Sequence, residues 1–258
     1  MPADRRAAAA ADDPREATAT ARSLRGRLSR PLVLTEALVL ADREGLAALT
    51  MRRLATRLGV EPMALYRYAA GKQALLDGLV EAFFAEVAAR LELPADTGAA
   101  RAAGTSGLDW RDELHRYALA FTRVAEAHPE VFPLVATRPL AVPLARRPTP
   151  MLQLNECVLD LLSRAGFDDR AALALQRAVT AWVLGYLLVD KRLAVDNPEE
   201  PDPMLRLGLH RLPAADYPRL RATAPLLTDH DERAELAAGL DALLHAFPSP
   251  TPTPDASR

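Results

Sequence analysis

Residues 49–76 read LTMRRLATRLGVEPMALYRYAAGKQALL. Two short helical patterns meet at a glycine here, and Arg52, Arg53, Arg57, Arg67 and Lys72 crowd around them. Thr50 carries the side-chain oxygen an N-cap needs, and Gly59 tolerates the left-handed backbone on which a helix ends. Pro62 is pre-set for the first turn of a second helix over PMALYRYA. Two short helices joined through a tight glycine turn make a helix-turn-helix. Ala55 is small where the second helix must cross, and Leu54, Leu58, Val60 and Leu65 are expected to face inward. Met63, Ala64, Arg67 and Tyr68 are then expected to face outward, at a spacing that suits one helix face in a DNA major groove.

Charge points the same way. From Arg22 to Lys72 there are ten basic and four acidic residues, a local charge of +6 in a chain whose net charge is −2. The remainder is therefore −8, so a basic module sits on an acidic body. A polyanion is the natural partner of the module alone. Arginines that merely solvate a helix are the alternative, but the turn, the small Ala55, Pro62 and the charge excess all agree on DNA.

Working outward, Pro31 and Gly45 bracket a helix over 31–44, and a long amphipathic helix runs from about Lys72 to Leu91. A Gly/Ala/Pro-rich loop follows, then helices starting near Asp109 and near Met151, a longer apolar helix over about Asp169–Val195, and a last one over about Asp231–Phe247. Half of the residues are hydrophobic and only 5% aromatic. With no persistent alternating pattern, the fold class is all-α, and the 258 residues suffice for one large or two modest domains. The expected organisation is a tail over 1–28, a DNA-binding domain with its connecting helix over 29–91, a linker over 92–108, a second helical domain over 109–247, and a tail over 248–258.

Other chemistries find little here. The lone Cys157 forms no internal disulfide and reads as a small core residue in a cytoplasmic protein. His115, His128, His210, His230 and His245 are scattered without metal-ligand spacing, and no phosphate loop or nucleophile elbow appears. No metal, cofactor or enzymatic activity is expected. No apolar run approaches the ~18 residues of a membrane span, and the N-terminus has no secretory h-region. An all-helical enzyme and an architectural DNA binder without effector are the competing classes. The large acidic body argues against the second, since it adds nothing to DNA affinity.

The stretch LSRPLVLTEALVLADREGLAALTMRRLATRLGVEPMALYRYAAGKQALLDGLV resembles the DNA-binding domain of the TetR family of bacterial repressors, most specifically in EGLAALTMRRLATRLGV, LYRY and KQALLD. Downstream, DWRDELHRYALAFTRVAEAHP, ATRP, AGF and VLGYLLVD resemble, in order, the regulatory domain of the tetracycline-responsive branch. The resemblance implies an all-α homodimer on a double-stranded, palindromic operator, released by a small-molecule effector, with 109–247 as the ligand-binding and dimerisation domain. It implies Arg52 as a base reader, Tyr66 and Lys72 as phosphate holders, and Pro62, Met63, Ala64, Arg67 and Tyr68 at specificity-setting positions. It places Tyr117, Phe121, Leu134, Thr137, Arg138, Pro139, Asn155, Val158, Trp182 and Tyr186 on the pocket wall, with ordinary core packing as the other account of each. Arg138 stands apart, because a semi-buried arginine needs a partner. Gly185, Val189, Leu240 and Leu243 become candidate dimer contacts. The tetracycline-binding branch has an asparagine where Tyr117 stands and a metal-binding histidine where Leu134 stands. An apolar or aromatic effector is therefore expected rather than a tetracycline–magnesium complex.

Overall fold

The computed structural model describes residues 28–93, 109–190, 197, 199–228 and 231–247. The expected tails, most of the expected linker, Arg22, Arg25, Arg27 and His230 lie outside the described residues. All regular structure among the described residues is helical.

These residues fall into two compact units. The first holds the described residues through Phe83 together with Glu130–Arg138, and the second holds Phe84–Pro129 and the described residues from Pro139 onward. The first unit contains α1 (Arg30–Glu44), α2 (Met51–Leu58), α3 (Pro62–Leu65) and α6 (Phe132–Thr137). The second contains α5 (Trp110–Ala127), α7 (Thr149–Arg164), α8 (Asp169–Asp190), α9 (Pro203–Arg206), α10 (Pro218–Thr228) and α11 (Glu232–His245). The long helix α4 (Lys72–Arg90) supplies residues to both. Its exit is a left-handed turn on Glu92 (φ 54°), with Leu93 N–H bonded to Ala88 O at 3.0 Å.

One assignment departs from the sequence expectation. α6 lies within the segment read as regulatory, yet it packs into the first unit, where Val131, Phe132, Val135 and Ala136 are buried. Its apolar side chains carry no period long enough to reveal their partners in advance.

In the second unit α8 packs on α7 and on α11. Gly239 makes the α11 approach possible: a Cβ there would lie 1.9 Å from Trp182 Cζ2. Glycine's helix-propensity cost is accepted where two helices must come this close. α8 also corrects the reading that no run is long enough for a bilayer. It is long and apolar enough by composition, yet only 28% of its most apolar window is buried within the chain. Gly185 and Val189 belong to that uncovered face, Val189 being 74% exposed.

Candidate DNA-binding surface and effector-site residues

Thr50 caps α2 by accepting the Arg53 N–H at 3.1 Å. Gly59 ends α2 in the left-handed region (φ 64°), and Val60 N–H closes the turn on Ala55 O at 3.0 Å. Leu54, Ala55, Leu58 and Leu65 are at most 1% exposed, so the two helices of the motif seat on one small core. Each of the three leucines contributes about 1.5–3 kcal/mol through that burial. Val60, expected inward, is only half-buried. α3 is shorter than the expected PMALYRYA: it ends at Leu65, and Tyr66–Tyr68 continue as a turn.

What α3 and its turn present is uneven. Met63 is 77% exposed, and Tyr66 and Arg67 are exposed beside it, while Pro62 and Ala64 are half-covered. Tyr68 does not face outward as expected. It is half-buried, its hydroxyl donates to Leu28 O at 2.7 Å, and the Arg67 guanidinium lies 5.0 Å from its ring centroid. Its phenol is spent tying the entry of α1 to the recognition turn, which leaves Arg67 as the polar tip of that pair.

The basic residues divide into two groups. Arg30 bonds Glu81 on α4 at 2.6 Å and also donates to Tyr68 O, so it braces α1, the recognition turn and α4 together. Arg57 pairs with Glu36 at 2.6 Å, and Arg53 pairs with Glu44. Arg43, Arg52, Arg67 and Lys72 are exposed and, among the described residues, have no carboxylate partner. The first group holds the motif in shape. The second keeps its charge available to a polyanion. Sequence reading missed Arg30; its signal was a cation at the start of α1 with no apolar role.

The expected pocket residues also part company. Tyr117 and Phe121 lie one turn apart on α5, and Asn155 and Val158 lie on α7 in the same unit. Burial pushes the Tyr117 phenol up to about 12, so it stays protonated; burial likewise raises the Cys157 thiol, which the Tyr117 side chain reaches. Phe121 packs on Phe84, ring centroids 6.0 Å apart. Trp182 and Tyr186 turn instead toward α11. Trp182 Nε1 donates to Leu236 O at 3.1 Å, and the Tyr186 hydroxyl donates to Glu235 Oε2 at 3.2 Å. Pro139 is buried in the second unit. Leu134, Thr137 and Arg138 fall in the first, where the Thr137 hydroxyl donates to Pro133 O at 2.7 Å. Arg138 has the partner its half-burial demands: its Nε meets Asp77 Oδ1 at 2.9 Å and its Nη1 meets Gln73 Oε1 at 3.2 Å, both on α4. Of the candidate dimer contacts, Leu240 is fully buried within the chain and is therefore core. Leu243 is half-buried, and Gly185 and Val189 are exposed.

Comparison with known proteins agrees with a DNA-binding helix-turn-helix. Residues 33–79 match the family model of bacterial regulatory proteins of the tetR family, and residues 103–246 match the tetracyclin repressor-like C-terminal domain. The chain is 32% identical over 199 residues to an HTH-type transcriptional regulator of Saccharopolyspora erythraea, covering 77% of this chain and 75% of that one. It is 29% identical over 215 residues to the tetracycline repressor protein class C of Escherichia coli, covering 83% and 88%. A solved structure of a possible TetR family transcriptional regulator from Streptomyces coelicolor A3(2) superposes with a TM-score of 0.63 at 30% identity, over 84% of this chain and 98% of that one. With a capped, glycine-turned helix pair presenting exposed cations, and with family matches over both halves, this chain belongs to the TetR family of DNA-binding transcriptional regulators.

Proposed function

We propose that two copies of this chain bind a palindromic operator, each laying α3 in the major groove of one half-site, and that a small apolar or aromatic effector releases them. The observation that carries the DNA reading is the division of cations, with Arg52, Arg67 and Lys72 lacking a carboxylate partner among the described residues around an exposed Met63 and Tyr66. In this reading Lys72 and Tyr66 hold phosphates, and Arg52 and Arg67 read base edges. Two-fold pairing is supported by the uncovered face of α8, where Gly185 and Val189 leave room and apolar surface for a second helix.

Effector response is supported by the likeness to a tetracycline repressor, and its chemistry by the residues at the expected wall. At two of the expected positions, Tyr117 and Leu134 stand where the resemblance implies polar handles in the tetracycline branch. An effector acts only through its different affinity for the two states of the regulator, so it must favour the arrangement that cannot bridge both half-sites. The Arg138–Asp77–Gln73 cluster fixes the end of α6 to the start of α4, beside Lys72, and so offers a lever on the DNA-reading unit. Sedimentation of the chain with a labelled operator duplex tests the assembly: two protomers per duplex are expected, and one protomer per duplex at saturation refutes it.

A further inference from the structure

The first turn of α3 offers a base edge no side-chain hydrogen bond. Pro62, Met63 and Ala64 carry no side-chain nitrogen or oxygen. Glu61 stands before them as the N-cap, outside the helix, and Leu65 behind them is fully buried. The Ala64 N–H bonds Glu61 O at 2.9 Å, so this turn of backbone is held from both ends. Met63 projects furthest from it, 77% exposed, while Pro62 and Ala64 are half-covered. A solitary exposed methionine is ordinary on most surfaces. Here it stands near the N-terminal end of the recognition helix, the part that meets base edges, and it adds nothing to phosphate affinity. The polar groups come after α3 has ended. Tyr66 and Arg67 lie on the turn past Leu65, with Arg67 5.0 Å from the centroid of a Tyr68 ring whose hydroxyl is fixed on Leu28 O at 2.7 Å. Apolar and polar contacts are thus separated along the chain, Met63 on the helix and Arg67 on the turn.

We infer that Met63 reads the 5-methyl group of a thymine in each half-site, so that the operator carries a T·A pair selected by apolar contact. This deepens the operator reading above and rests on it. In the major groove guanine, adenine and cytosine present hydrogen-bonding atoms, and thymine alone adds a methyl group. A polar edge under an apolar tip loses water and gains no partner, whereas a methyl group is buried there with gain. The unbranched thioether chain can follow a methyl group without needing a fixed hydrogen-bond geometry. Arg52 and Arg67 remain the donors suited to guanine. Each half-site then combines guanine read by hydrogen bonds with thymine read by its methyl group.

The test uses the full chain. Duplexes are selected from a random pool with wild type and with Met63→Ala, whose side chain ends at Cβ and whose exposed position leaves the core of the motif untouched. A T·A pair enriched in each half-site by wild type, and not by the variant, is expected. Each enriched thymine of the wild-type duplex is then replaced, in both half-sites together, by deoxyuridine, which differs only in lacking the 5-methyl group. Fluorescence anisotropy reads the affinity. At one position the exchange should weaken wild type about fourfold per half-site, roughly 16-fold on the two-fold duplex, and should leave Met63→Ala binding unchanged. A shape effect of the missing methyl group on the DNA itself would weaken both proteins alike. Deoxyuridine bound as well as thymine at every position, a penalty or T·A preference that Met63→Ala shares, or a palindrome without a T·A pair overturns the methyl contact and leaves the operator reading standing. No palindrome at all sinks the operator reading and this inference with it.

Discussion

Replacing Lys72 by alanine tests the division of cations quantitatively. Lys72 opens α4, is exposed and has no carboxylate partner among the described residues. If it neutralises one phosphate per protomer, a dimer on its operator loses two contacts. Counterion release gives a slope of about −0.9 in log affinity against log salt per contact, so the slope should become shallower by about 1.8. Between about 50 and 200 mM salt the wild-type advantage should then shrink roughly 12-fold, which is fourfold dilution raised to that slope. Arg57 is the control. It is held by Glu36 at 2.6 Å with both side chains about 30% exposed, so it has already surrendered its counterion. Arg57→Ala should leave the slope unchanged within ~0.5, although it removes the same formal charge. Fluorescence anisotropy on a selected duplex over a salt series reads both. A Lys72→Ala slope equal to wild type, or an Arg57→Ala slope that falls as far, would refute the reasoning.

Three further outcomes follow from particular contacts. Arg52→Ala should cost about 1–3 kcal/mol per half-site and relax the preference at one base position, seen by repeating the operator selection with the variant; an unchanged preference at every position contradicts it. Gly239→Ala should lower the unfolding midpoint by about 2–6 °C at matched protein concentration. The added methyl meets Trp182 at 1.9 Å, and overpacking of about 1–3 kcal/mol exceeds the ~1 kcal/mol that alanine gains in an open helix; a raised midpoint would show that the two helices part freely. Burial raises the Glu86 carboxyl, but hydrogen bonds from His128 and Arg90 outweigh it and hold the group below its ordinary value of 4.5. A depressed folded-state value means the stabilisation is present above 4.5 and is lost as pH falls below it, so Glu86→Gln should lose less stability than wild type between neutral pH and that window, measured by urea unfolding.

The helix-turn-helix was legible because its signals are local. A cap at Thr50, a left-handed glycine at Gly59 and a proline at Pro62 each act within four residues, and each holds its expected place. Side-chain destinations across the fold were not legible. Tyr68 was read as outward because helical spacing was extended past Leu65, where the backbone has already left the helix. Trp182 and Tyr186 carry the same apolar signature whether they face a pocket or a neighbouring helix, and only Gly239, a glycine inside a helix some fifty residues later, marked where they would pack. Leu240 shows the same ambiguity between core and interface. Arg138 announced that it needed a partner, but Asp77 lies sixty-one positions away and no local rule names it.

Selection of bound duplexes from a random pool, at low salt and without small molecules, tests the central claim most directly. The account predicts an enriched palindrome with two half-sites on one face of the duplex, set by α3 of two protomers. An enriched sequence without two-fold symmetry, or no enrichment at all, would contradict it.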